Sequence, residues 1–144
     1  MTTTSLVTPA QRLRDQIHGR SDADIVRAFR AGGGLDAALD ESFAGMAQAF
    51  IASRAGTEGA IIQYDIVTPD GLTTYHLEVS DGRCVARRGA HARPRVTLRL
   101  TFPDFLRIIT GQLTGARAFT FGRLKITGDL FFSHVMQGWF NRAP

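Results

Sequence analysis

Residues 96–139 read VTLRLTFPDFLRIITGQLTGARAFTFGRLKITGDLFFSHVMQGW, and this stretch decides the fold. Apolar residues alternate over residues 96–102, as they do along a β-strand with one buried face. They then recur at spacings of three and four, which is typical of an amphipathic helix. A short helix, a strand and a last helix beginning at Gly128-Asp129 complete the order. So many apolar side chains in so short a span either form a core or line a cavity for a hydrophobic ligand.

The chain before this stretch predicts a layer of helices. Residues 1–20 carry little pattern, and we expect a flexible arm there or a short helix around residues 11–17. Ser21 and Asp24 have the spacing of a capping box at a helix start. Apolar residues at helical spacing then predict one long helix over residues 35–54. We therefore expect an N-terminal arm of residues 1–20 and a single domain of residues 21–144.

A β-meander follows these helices. From residue 59 the apolar period changes to two, with turn signals at Pro69-Asp70-Gly71 and Asp81-Gly82. Residues 83–88 form a short, polar strand that suits a sheet edge. Thr101-Phe102-Pro103-Asp104 is a second capping box, so the helix after the fourth strand starts there.

Composition limits the class of protein. The 144 residues suit one domain, with 44% hydrophobic and 21% charged residues. No apolar run approaches the ~20 residues of a membrane span, and the N-terminus lacks a secretory pattern, so we expect a cytoplasmic protein. The net charge of +4 comes mostly from scattered arginines. These lack interleaved aromatics, so we expect no nucleic-acid partner and at most transient contact with an anionic membrane.

Residues with catalytic or metal-binding chemistry are sparse. No two of the four histidines stand three or four apart, and no nucleophile elbow, P-loop or dinucleotide fingerprint is present. Cys84 has no base near it in sequence, and a single cysteine excludes an internal disulfide. His76 and Glu78 share one strand face and are expected to be a solvent-facing polar pair. We predict no catalytic residue, no metal site and no cofactor.

Two motifs resemble the sterol carrier protein type-2 family. They are D-F-L-x-x-x-T-G, beginning at Asp104, and A-F-T-F-G-R-L-K-I-T-G-D over residues 118–129, both following the strand VTLRL. The resemblance implies an α/β (α+β) fold with helices over one face of a five-stranded, largely antiparallel sheet. It also implies an apolar tunnel between the layers that binds a fatty acid, acyl-CoA or sterol without chemistry of its own, as in a free-standing bacterial member.

The resemblance also implies which residues line the tunnel. Carried over by position, the lining consists of Phe105, Ile109, Phe119, Phe121, Leu124 and Ile126, together with Phe132, Val135, Met136 and Trp139 of the closing helix. The aromatic excess of that last helix implies a cavity that is narrower than usual or differently shaped.

Three functions fit these observations. The first is a non-catalytic carrier of a hydrophobic small molecule, such as a fatty acid, acyl-CoA, sterol or a polyketide- or isoprenoid-like compound. The second is an enzyme that cyclises or modifies such a molecule in the same cavity. Its acids or hydrogen-bond donors would come from Tyr64, Tyr75, His76, Glu78 and Arg99. The third is an interaction module whose closing helix packs on a partner or on a second copy in a homodimer.

Overall fold

The computed structural model describes residues 9–140, in which helices pack on one face of a five-stranded sheet. The elements in chain order are α1 Pro9–Ile17, α2 Asp22–Ala31, α3 Leu35–Gln48, α4 Ala52–Ala55, β1 Ala60–Thr68, β2 Gly71–Ser80, β3 Arg83–Arg88, β4 Val96–Thr101, α5 Phe102–Ile109, α6 Gly115–Thr120, β5 Lys125–Gly128 and α7 Leu130–Met136, followed by the 3₁₀ turn Gln137–Trp139. None of these helices is long and apolar enough to cross a bilayer.

The sheet has the strand order β3-β2-β1-β4-β5. Three of its four pairings are antiparallel, and the central pairing of β1 with β4 is parallel, with Tyr64 opposite Leu98. The expected largely antiparallel sheet is therefore confirmed in a mixed form. β3 lies at the edge, as its short polar sequence predicts.

The core lies between the inner face of the sheet and the helices. Ile62, Tyr64 and Ile66 of β1 are buried, while Gln63 and Asp65 between them face the other side. Pairing places the buried residues of β2 and β4 in the same layer. An aromatic cluster fills its middle, where the ring centroid of Phe43 in α3 lies 4.3 Å from that of Tyr75 and 4.8 Å from that of Phe105.

Of the two structures expected for the N-terminal stretch, a flexible arm or a short helix, the structure shows a helix, α1, over residues 9–17. Ile17 at its end is only 1% exposed and belongs to the core. Residues 1–8 and 141–144 lie outside the described residues. The division into an arm of residues 1–20 and a domain of residues 21–144 stays a prediction.

The single helix predicted over residues 35–54 is wrong, because the chain leaves the helix at residues 49–51. Phe50 pairs with Phe140 as an isolated β-bridge, and the Ile51 N–H donates to the Trp139 carbonyl at 2.6 Å. These contacts with the end of the described chain need an extended backbone, and α3 and α4 are separate for that reason.

Local signals in the sequence are confirmed at both capping boxes and at the second turn. The Ser21 hydroxyl accepts from Asp24 N–H, and the Thr101 hydroxyl accepts from Asp104 N–H. Asp81 and Gly82 have φ of 51° and 74°, the positive pair of a type I′ hairpin turn.

Candidate functional site

A cavity of about 90 Å³ lies between the sheet and the helices. Its wall consists of Met46, Ala49, Tyr64, Leu98, Leu100, Phe105, Ile108, Ile109, Gly115, Leu124, Met136, Gln137 and Phe140. The end of α3, strands β1 and β4, and helices α5, α6 and α7 all contribute. The cavity is therefore bordered by β1, the end of α3 and most elements of residues 96–139.

Local sequence explains how these side chains come together. Alternation in β4 turns Leu98 and Leu100 inward, and its pairing with β1 sets Tyr64 beside Leu98. The Thr101 cap starts α5 directly after β4, so Phe105 and Ile109, one turn apart, point back over the same sheet face. Side chains of β4 and of α5 therefore both line the cavity.

Polar groups on the wall are few and uncharged. Tyr64 contributes a phenol and Gln137 an amide, and the described part of the wall carries no charged side chain. Within residues 9–140, no cluster of three or more His, Cys, Asp or Glu side chains is placed to hold a metal ion. This mostly apolar wall is suited to holding a hydrophobic molecule.

Four of the ten residues expected to line the tunnel are on the cavity wall: Phe105, Ile109, Leu124 and Met136. Phe132 and Trp139 are buried in the adjacent core, with ring centroids 5.3 Å apart. Ile126 on β5 pairs with Leu98 and packs against the core without lining the cavity. As ligand-binding residues, all ten remain predictions.

Phe119, Phe121 and Val135 are exposed and are not on the cavity wall. Gly115 and Ala118, three residues apart, form the buried side of α6, so Phe119 falls on the neighbouring exposed side. Phe121 follows the helix and is also exposed. Val135 lies beside the buried Met136 on the outer side of α7.

Sequence reasoning missed nine wall residues: Met46, Ala49, Tyr64, Leu98, Leu100, Ile108, Gly115, Gln137 and Phe140. A signal for two of them was present, because Met46 belongs to the apolar stripe of α3 and Ala49 follows it by three residues. Tyr64 entered only as a donor in the enzyme hypothesis.

An ion-pair cluster connects two of the segments that line the cavity. The Asp104 carboxylate accepts from Arg123 at 3.0 and 2.5 Å and from Arg107 at 2.8 Å. Burial raises the pKa of Asp104, but the hydrogen bonds from Arg123 and Arg107 outweigh burial and hold this pKa below its usual value. The cluster joins the start of α5 to the segment between α6 and β5, so it links two walls of the cavity.

The other candidate acids and donors lie away from the cavity. Tyr75 donates to Asp40 at the α3 side of the sheet, and burial is the main reason that its pKa is raised. His76 and Glu78 lie on the outer sheet face, with His76 Nε2 2.9 Å from Glu78 Oε2. The expected solvent-facing histidine is wrong, because His76 Nδ1 contacts the Gly89 carbonyl at 2.8 Å and the side chain is buried. Arg99, on the same outer face, is exposed.

Comparison with known proteins agrees with this geometry. The family model described as the SCP-2 sterol transfer family matches residues 51–141. The chain belongs to this family. The matched region runs from just before α4 through the whole sheet to the closing helix, so it contains most of the cavity wall. No curated protein sequence matches the chain.

Solved structures share the SCP-2 fold at low sequence identity. The sec-alkylsulfatase Pisa1 from Pseudomonas sp. has a TM-score of 0.64 and 18% identity over 94% of this chain. Our chain spans 24% of that sulfatase chain and 16% of the chain of its double mutant. Sterol carrier protein 2 like 2 from Aedes aegypti has a TM-score of 0.54 and 20% identity, covering 71% of this chain and 97% of its own. The palmitated form of that protein has a TM-score of 0.57 and 18% identity, covering 74% and 94%.

Proposed function

We propose that this chain binds a hydrophobic small molecule in the cavity and carries it without chemical change. The observation that supports this most is the composition of the cavity wall, which is apolar except for the phenol of Tyr64 and the amide of Gln137. Family membership and the palmitated Aedes aegypti relative support a lipid as the guest. We infer a fatty acid, acyl-CoA, sterol or a comparable isoprenoid- or polyketide-like molecule.

The cavity must widen to accept such a guest. Ligand sites typically measure about 300–1,000 Å³, whereas this cavity has about 90 Å³. Met46 and Met136 line it, and their unbranched thioether chains adapt their shape at low cost. Residues 137–140 form a further wall, held by the Ile51–Trp139 hydrogen bond and by Arg54, which donates to the Gly138 carbonyl at 3.0 Å. We propose that the guest enters by displacing this wall.

Catalysis in the cavity has little geometric support. Of the five residues named for the enzyme hypothesis, Tyr64 alone lies on the described wall. Tyr75, His76, Glu78 and Arg99 lie elsewhere, as described above, and do not converge on one point of the cavity. We therefore propose a carrier rather than an enzyme.

Ala49→Leu tests the proposal by filling the cavity. Ala49 has αR backbone angles and faces the cavity, so leucine fits the backbone and occupies the space. Titration calorimetry with palmitate is expected to show at least about tenfold weaker binding, because the leucine side chain removes apolar contacts that the ligand would otherwise make. Ala44→Leu is the matched control, because Ala44 lies in α3, shortly before Ala49, but outside the cavity. Equal binding by the two variants would contradict the assigned cavity.

Phe132→Arg is unsuitable as a test of the cavity. Phe132 is 2% exposed, its ring contacts Trp139, and the Arg95 guanidinium lies 4.0 Å from its centroid. A buried, unpaired cation beside Arg95 is expected to unfold the chain. Loss of binding in that variant would report unfolding, whereas Ala49→Leu leaves the core intact.

A further inference from the structure

Strand β3 leaves one edge of the sheet open. It pairs with β2, and no other strand lies beside it in the described part of the chain. Just beyond β3, the Gly89 N–H donates to the Thr74 carbonyl at 2.7 Å, and bonded and non-bonded pairs alternate along an antiparallel ladder. The N–H and C=O groups of Cys84, Ala86 and Arg88 therefore point away from β2. An open row of backbone groups of this kind accepts a further strand.

A groove of about 360 Å³ runs beside this edge, between β3 and α3. Ala44 and Ala47 line it from α3, and Cys84 and Ala86 line it from β3. Because all four side chains are small, the helix and the strand leave room for the side chains of a third segment. An extended peptide that pairs with β3 would place every second side chain in this groove.

Hydrogen bonds hold the two walls of the groove in place. Tyr75 on β2 donates to Asp40 on α3, and Arg88 on β3 donates to the same carboxylate at 3.1 Å. The Arg88 guanidinium also lies 3.6 Å from the carboxylate of Asp36, one turn earlier in α3. The spacing of α3 and β3 is therefore set before a peptide arrives, which lowers the entropic cost of binding.

The outer side of β3 is basic. Arg83 and Arg87 are exposed on the same face of the strand, with Val85 between them. The Arg87 side chain contacts Glu78 at 3.2 Å and remains 58% exposed. Exposed ion pairs of this kind contribute little to stability, so Arg87 is free to exchange its partner. The side chains of an added strand that point away from the groove would meet these arginines, and acidic residues fit there.

A second copy of the chain fits this edge poorly. An antiparallel pair of β3 strands centred on Val85 would set Arg83 opposite Arg87 of the second copy. Centred on Ala86, the pair would set the two Arg87 side chains on a diagonal, and centred on Arg87 it would set them directly opposite. Like charges at these positions destabilise paired strands. The arginines thus oppose self-association and leave the edge open to an acidic strand.

We propose that the β3 edge binds an extended, acidic segment of a partner protein as an added strand. The segment alternates apolar side chains, which enter the groove, with acidic side chains, which pair with Arg83 and Arg87. Its backbone bonds to the outward groups of β3. The site is separate from the lipid cavity, because the described cavity wall contains no residue of β3. The proposal therefore goes beyond the carrier function and assigns the chain a protein partner.

Fluorescence anisotropy of the full chain with two labelled peptides tests the proposal. The probe is a fluorescein-labelled peptide, long enough to span β3, in which valine alternates with glutamate. The comparison peptide alternates valine with lysine. The glutamate peptide is expected to bind at least about tenfold more tightly, and added salt is expected to weaken its binding. Equal binding of the two peptides, or binding of neither, overturns the proposal.

Charge variants test the contacts on the outer side of β3. Arg83→Glu/Arg87→Glu is expected to weaken binding of the glutamate peptide at least about tenfold, because repulsion replaces attraction. Arg20→Glu/Arg117→Glu is the matched control, since it makes the same change in net charge at exposed residues away from β3, and it is expected to weaken binding much less. Equal losses in the two variants would trace the effect to net charge and overturn the assigned site.

Ala44→Leu tests the groove by filling it, and it is expected to weaken peptide binding at least about tenfold. Ala37→Leu is the control, because Ala37 is exposed in the same helix but does not line the groove. Peptide binding by Ala44→Leu at the wild-type affinity overturns the proposal. A wild-type chain that binds palmitate but not the glutamate peptide refutes strand addition alone, and the converse refutes the carrier function alone.

Amide hydrogen exchange measured by NMR distinguishes strand addition from contact through side chains. With the glutamate peptide bound, the N–H groups of Cys84, Ala86 and Arg88 are expected to exchange more slowly. Those of Val85 and Arg87 point toward β2 and are expected to change little. Peptide binding without this protection overturns the proposal. It is also overturned by a dimer in analytical ultracentrifugation that protects the same N–H groups without peptide, since a second copy would then occupy the edge.

Discussion

Asp104→Asn is expected to destabilise the protein strongly through the ion-pair cluster at the start of α5. Asp104 is 4% exposed, and its carboxylate is bonded to Arg123 and Arg107. Asparagine has nearly the same shape and keeps one acceptor oxygen, so the substitution removes charge with little change in packing. The two guanidinium groups then face a neutral amide.

The magnitude follows from how buried each partner is. Removing one member of a fully buried pair costs about 3–5 kcal/mol, because the remaining charge is uncompensated. Here the Arg123 side chain is 42% exposed and can be rehydrated, and Arg107 retains Asp22 at 2.7 Å. We therefore expect a loss of about 2–3 kcal/mol, a large part of the ~5–15 kcal/mol typical of a folded domain.

Urea denaturation at pH 7 measures this loss as a lower midpoint at unchanged slope. Asp24→Asn is the matched control, and its midpoint is expected to fall much less, since it removes an exposed ion pair and one charge from the first turn of α2. A shift below about 0.5 kcal/mol for Asp104→Asn, within the range of ordinary surface changes, would refute the reasoning.

The same variant carries a pH signature. The folded-state pKa of Asp104 is depressed, so its stabilising contribution is complete above the unfolded-state pKa of about 4 and is lost as pH falls through the folded value. The difference in unfolding free energy between wild type and Asp104→Asn is expected to be constant from about pH 7 to 5 and to shrink below about pH 4. A difference that grows on acidification would contradict the assignment.

Three further predictions concern the core, a backbone position and the cysteine. Phe43→Ala is expected to cost about 3–5 kcal/mol by urea denaturation, because Phe43 is fully buried in the aromatic cluster; an unchanged midpoint would exclude that role. Gly128→Ala is expected to cost more than Gly122→Ala, since both have positive φ but only at Gly128 would a Cβ lie 2.6 Å from the Arg95 carbonyl oxygen; equal costs would refute this clash. Burial raises the pKa of Cys84 to about 11. Its alkylation by iodoacetamide at pH 8 is therefore expected to be more than about 100-fold slower than that of a free thiol, and a free-thiol rate would count against burial.

Local structure was predictable wherever short-range chemistry decides it. The caps at Ser21 and Thr101 and the turn at Asp81-Gly82 depend on residues within four positions of one another. The break between α3 and α4 was not predictable in this way. It depends on hydrogen bonds between residues 50–51 and residues 139–140, which are far apart in the sequence.

Strand pairing shows the same limit. Alternation in β1 and β4 indicates which side chains are buried, but both a parallel and an antiparallel partner satisfy it. The parallel pairing of β1 with β4 follows from the path of the whole chain. That pairing brings Tyr64 and Leu98 together on the cavity wall.

Only part of the candidate site could be predicted from the sequence. The apolar arc of the last helix is so wide that it does not show which side of the helix faces inward. Phe131, Phe132, Val135 and Met136 all suit burial by composition. Packing buries Phe132, Ser133 and Met136 and leaves Phe131 and Val135 exposed, a choice made by contacts with β4, β5 and Trp139. The end of α3, far from residues 96–139 in sequence, supplies Met46 and Ala49 to the wall.

Lipid occupancy of the purified protein is the direct test of the carrier function. The full chain is extracted with organic solvent and the extract analysed by mass spectrometry, and the emptied protein is then heated with and without palmitate or a sterol. A carrier is expected to yield a co-purifying hydrophobic molecule, or to gain about 2.7 kcal/mol of stability from a ligand at 100 times its dissociation constant. An empty protein that gains no thermal stability from any fatty acid, acyl-CoA or sterol would contradict the carrier function.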